Sequence, residues 1–218
     1  MRLRAFVILI GAVLVVATFT FPFWQPYVQN TTIVTIGGAE SFPGLPRALQ
    51  ASFALLPPDQ QREYLTLAAL NRDVAVRMAT GALQPGAPAP NADAELPDLN
   101  DPNLTARGVF TQISPILYAQ GTASVYTAAD ERKVLRFENF TVINNSDLRV
   151  LLSASPNPTT PAEMRLNDVH FDAGVLKGTF GSQNYELPNE LVLSRYASVV
   201  IYSPGVDTIY SIAPLFFF

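Results

Sequence analysis

The sequence predicts a mainly β protein: an antiparallel β-sandwich over residues 105–218, preceded by an N-terminal transmembrane helix and a short helical region. Three observations carry this. From Ala106 onward apolar and polar residues alternate with a period of two, as in strands that bury one face. Turn signals at Asn144-Asn145, Ser155 to Pro158, Gly174, Gly181 and Pro204-Gly205 cut that half into short strands at sandwich spacing. Far upstream, the 20 residues from Ala5 to Trp24 contain no acidic or basic side chain.

That run matches the roughly 20 residues a helix needs to cross a bilayer, where each backbone amide must find its partner within the segment. Arg2 and Arg4 precede it, so the positive-inside bias puts the N-terminus in the cytoplasm and the rest of the chain outside. Trp24 and Tyr27 belong to an aromatic belt at headgroup level, and Pro22 and Pro26 end the helix. The expected location is the cytoplasmic membrane, single-pass, with residues 1–27 as a signal anchor. A cleaved signal peptide is the rival reading, although no A-x-A site follows the apolar run.

Residues 28–80 read as an extracytoplasmic neck. A short helix fits Leu45 to Leu56. A second starts at Pro58-Asp59 and runs to about Thr80, with Tyr64, Leu67, Leu70, Val74 and Met78 on one stripe. Residues 81–104 hold five prolines and no basic residue, which predicts a semi-rigid linker. The strands expected beyond it are Gly108–Gln112, Gly121–Tyr126, Lys133–Glu138, Asp147–Ser153, Val169–Phe171, Val175–Phe180, Tyr185–Leu187, Ala197–Tyr202 and Val206–Pro214.

Three stretches of this half carry a recognisable pattern: GTASVYTAADERKVLRFENFTVINNSDLRVLLSASPNP, then FDAGVLKGTFGSQNYELP, then YASVVIYSPGVDTIYSIAPL. Their order and spacing, over about Val109 to Leu215, resemble the DM-thirteen domain of Skeletor-type and bacterial envelope proteins. The resemblance implies a β-sandwich and an association with electron transfer. It also implies a cysteine directly after the last Ile-Tyr pair, where this chain has Ser203 after Ile201-Tyr202. A serine hydroxyl has no accessible redox couple and is a poor metal ligand.

Composition narrows the chemistry. There is no cysteine and one histidine, which excludes disulfides, thiolate metal sites, iron–sulfur clusters and C-x-x-C-H haem attachment. With 14 Lys+Arg against 18 Asp+Glu, nothing favours nucleic acid. Gln183, Asn184 and Tyr185 form the most specific polar cluster and, with Ser203, are the candidate ligand-binding residues; fixing the turn after Gly181 is their plainer role. Asp168, His170 and Asp172 stand at alternate positions, share a face if they lie on a strand, and are the candidate metal ligands. The expectation is a binding or interaction module, not an enzyme, with no catalytic residues and no cofactor. Its partners are the lipid bilayer through residues 5–24 and, in a second reading, other subunits of a membrane complex. A third reading is an active electron-transfer or metal-binding protein.

Overall fold

Alternating β-branched and aromatic residues need a second apolar layer to cover their inward face, and two antiparallel sheets provide it. The computed structural model describes residues 42–218. Among these are β1 (Asn103–Val109), β2 (Ala119–Thr127), β3 (Lys133–Val142), β4 (Arg149–Ser153) and β5 (His170–Val175). They are followed by β6 (Gln183–Leu187), β7 (Ser198–Ser203), β8 (Thr208–Pro214) and β9 (Phe216–Phe217). One sheet has the order β6-β3-β2-β1-β9 and the other β5-β4-β7-β8. Every pairing within them is antiparallel. The chain is thus mainly β, in agreement with the sandwich predicted.

Register puts like with like. Ala123 faces Phe137 and Val125 faces Leu135 in the first sheet, while Val150 faces Ile201 and Leu152 faces Val199 in the second. All eight are buried in one core. A bulge in the β2–β3 ladder, with Gly121 at φ 106° and Asn139 at φ 51°, resets the alternation of β3. Phe140 and Val142 therefore join Leu135 and Phe137 inside, although their parity differs. Phe110 and Phe140 pack on Phe137 at centroid distances of 5.0 and 4.9 Å, with Tyr185 at 5.4 Å. Leu151, Val200, Tyr202, Ile209 and Ile212 form a second apolar cluster, closed by Met164 from the β4–β5 connection. Strand β7 is consequently buried along its whole length.

Several expectations are corrected. The long helix over 58–80 is two helices, α2 (Pro58–Leu70) and α3 (Arg72–Ala82), preceded by α1 (Arg47–Ala54). Asn71 between them is extended at φ −149°, and its side chain accepts from the Val74 N–H to cap α3. The break splits the stripe: Tyr64 and Met78 are buried, but Leu70 is 83% exposed. Phe42 and Phe53, with ring centroids 4.9 Å apart, join Tyr64 and Met78 in the sandwich's own core.

The Pro-rich segment, expected as a semi-rigid linker, is strapped to the sheet. Ala89 N–H donates to Phe180 O and Thr179 N–H to Ala87 O, both at 2.8 Å, while Leu99 packs on Ala128 and Val134. Residues 176–180, expected as strand, form the loop that receives it. Strand β1 begins at Asn103, earlier than expected, and Phe216-Phe217 adds β9 to its edge. No helix among the described residues is long and apolar enough to cross a membrane. The anchor expected at residues 5–24, with Arg2, Arg4, Trp24 and Tyr27, lies outside the described residues.

Candidate functional site

Ser203 ends β7 and has no solvent exposure. Its hydroxyl donates to Asp147 Oδ1 at 2.5 Å, and the other carboxylate oxygen accepts the Gly205 N–H. Asn145 Nδ2 lies 3.4 Å from Ser203 Oγ and donates to the Tyr210 hydroxyl at 2.7 Å. Burial pushes the Tyr210 phenol well above its ordinary pKa, against the smaller pull of Asn145, so it stays neutral. The β3–β4 connection, the end of β7 and strand β8 are thereby tied through one polar cluster. With the hydroxyl committed to a carboxylate, position 203 presents nothing to a ligand.

Gln183, Asn184 and Tyr185 sit together on β6 but work on opposite faces. The Tyr185 hydroxyl donates to Gln183 Oε1 at 2.7 Å, and both oxygens accept the Lys177 N–H at 3.1 Å. Gln183 Nε2 donates to Gly178 O at 2.9 Å, closing the 176–182 loop on itself. Burial is the main reason the Tyr185 phenol is raised far above its usual value. Asn184 faces the strap: its amide donates to Glu95 O at 2.7 Å and accepts from Arg136 Nη1 at 2.9 Å.

Arg136 is 6% exposed, yet its charge is matched by Glu138 at 3.1 Å and by the carbonyls of Asp93 and Ala94 at 3.3 and 2.8 Å. Lys177 closes the strap by pairing with the Asp93 carboxylate at 2.9 Å. This trio therefore secures a turn and a strap. Ser203 belongs to the other sheet and is not brought to it.

Asp168, His170 and Asp172 do not share a strand face. Strand β5 starts at His170, and Asp168 ends a 3₁₀ turn at φ 56°. The Asp172 carboxylate is taken by Arg149 Nε at 2.7 Å and by the Gly174 N–H at 2.9 Å. Among the described residues no three His, Asp or Glu side chains are grouped to hold a metal ion.

One feature escaped the sequence. A cleft of about 370 Å³ opens between α2, the end of α3 and the rim of the first sheet. Leu56, Gln60, Tyr64, Gln84, Tyr118 and Phe180 are among its walls. Its residues come from five separate stretches of chain, each unremarkable alone. Only the Tyr64 position on a helical stripe hinted at a role, and that hint pointed to the core.

No curated protein and no solved structure matches the chain. Residues 117–215 match the model of a family described as electron transfer DM13. The matched span runs from just before β2 to just after β8, while β1 and β9 complete the first sheet from outside it. The chain thus carries a domain of the electron transfer DM13 family, as its strand motifs implied.

Proposed function

We propose that this chain is a membrane-anchored, extracytoplasmic binding module associated with electron transfer, and that it is not itself an enzyme. The observation that carries the reading is position 203. The resemblance places a cysteine there; the chain has a buried serine whose hydroxyl is held by Asp147. A side chain without a redox couple, locked in a structural hydrogen bond, leaves the module to act through what it binds. Residues 5–24 serve as the bilayer anchor, with Arg2 and Arg4 on the cytoplasmic side and Trp24 and Tyr27 at the outer headgroups.

A second reading, an accessory subunit of a membrane complex, draws support from the C-terminal edge. Phe216 and Phe218 are 71% and 81% exposed there, a patch that fits a protein or lipid neighbour. The test is extraction of membranes carrying the full chain, first with alkaline carbonate and then with mild detergent. The module reading expects the chain to stay in the carbonate pellet and to be shaved by protease added outside sealed cells. Release by carbonate overturns the anchor; stoichiometric co-purifying chains select the second reading.

A further inference from the structure

We propose that the cleft between α2 and the first sheet binds a neutral, flat ring molecule with oxygens on opposite edges, the chemistry of a quinone or its quinol. This rests on the binding-module reading and gives it a ligand class.

The lining is uncharged throughout, from Leu56 and Gln60 on one side to Thr179 and Phe180 on the other. An ionic ligand would find no counter-charge and would lose its hydration for nothing. Polar groups are nevertheless present. They include the hydroxyls of Tyr64 and Tyr118 and the side-chain amides of Gln60 and Gln84. Tyr64, 1% exposed, is the most buried polar side chain among the residues that line the cleft. Burial and the neighbouring phenols of Tyr210 and Tyr118 hold its pKa well above normal, so it remains a neutral donor.

The remaining walls decide the ligand class. Leu56, Val142, Ile143 and Phe180 are apolar. A sugar carries oxygen on nearly every carbon and would press several hydroxyls against these side chains unpaired, each at a cost of about 1–3 kcal/mol. A quinone has two carbonyl oxygens and an apolar body, which suits a few donors set in an apolar wall. The volume, about 370 Å³, accommodates a two-ring molecule.

The test is calorimetric titration of the detergent-purified full chain with menadione, and separately with glucose. The chain has no cysteine, so menadione is not lost to thiol addition. The expected result is saturable one-site menadione binding and none with glucose. Tyr118→Phe and Gln84→Ala should each weaken binding about 5–10-fold, the worth of one hydrogen bond. Tyr126→Phe, away from the cleft, should leave it unchanged, and melting curves establish that every variant is folded. Two results overturn the proposal: no saturable menadione binding, or binding that the cleft variants leave intact. Saturable glucose binding lost in those same variants overturns the ligand class while the module reading stands. A full chain that carries stoichiometric haem or a redox metal through purification, seen before any titration, overturns the module reading instead.

Discussion

Truncating Ser203 to alanine tests whether position 203 is a structural lock. Ser203→Ala removes one donor, and Asp147 keeps its bond from the Gly205 N–H. Asp147→Ala removes the shared acceptor and strands the Ser203 hydroxyl in a site with no solvent exposure. A hydrogen bond to a charged group is worth about 1.5–3 kcal/mol, and Asp147 is half-buried and reachable by water, so the low end applies to Ser203→Ala. Asp147→Ala should cost more, about 2–4 kcal/mol, because an unsatisfied buried hydroxyl carries its own desolvation penalty. If the hydroxyl–carboxylate bond is the main link between them, the double variant should be less destabilised than the sum of the singles by about 1–2 kcal/mol. Urea unfolding of the four chains, followed by far-ultraviolet circular dichroism, gives the cycle directly. Additivity within about 0.3 kcal/mol would refute the lock, since uncoupled residues behave that way.

The remaining predictions concern the strap, the bulge and the buried phenols. Arg136→Met should destabilise the fold by about 2–4 kcal/mol, by orphaning the Asp93 and Ala94 carbonyls and the Asn184 oxygen. Limited proteolysis should then cut first within residues 86–99; an uncut strap would show that Arg136 does not hold it. Gly121→Ala should cost more than about 2 kcal/mol, because the residue sits at φ 106° and a Cβ would lie 2.6 Å from Glu138 O. A thermal melt unchanged by that substitution would contradict the bulge. Tyr64, Tyr185 and Tyr210 all have raised phenol pKa values, with burial as the first cause. Their contribution to stability is therefore complete below the unfolded phenol value of about 10 and is lost as pH rises beyond it. Phenolate absorbance should rise in two stages, the second coinciding with alkaline unfolding; a single stage before unfolding would place these phenols in water.

Much of the sandwich could be read from the sequence because a half-buried strand writes its geometry as alternation. Ala123 and Val125, or Val199 and Ile201, need no partner to be recognised as one face. The alternation hid what covers the other face. Val200 and Tyr202 lie on the face opposite Val199 and Ile201, and Met164, far off in sequence, closes over them. The bulge at Gly121 and Asn139 changes parity within one strand, so Phe140 was assignable only once the ladder was seen. Asn71 was legible only in retrospect: the same residue type occurs inside helices, and the helical stripe ran straight across it. Proline content suggested a semi-rigid linker and gave no sign that its carbonyls are the groups that Arg136 and Asn184 bind. The candidate site fared by the same rule. Adjacent residues such as Gln183, Asn184 and Tyr185 were visible, while the cleft is made by long-range closure and left no local signature.

Voltammetry of the purified full chain, recorded before any ligand or partner is added, is the most direct test of the idea that this module acts through what it binds. A trace with no reversible couple, unchanged by Ser203→Ala, is the predicted result. A reversible couple borne by the protein alone would contradict it.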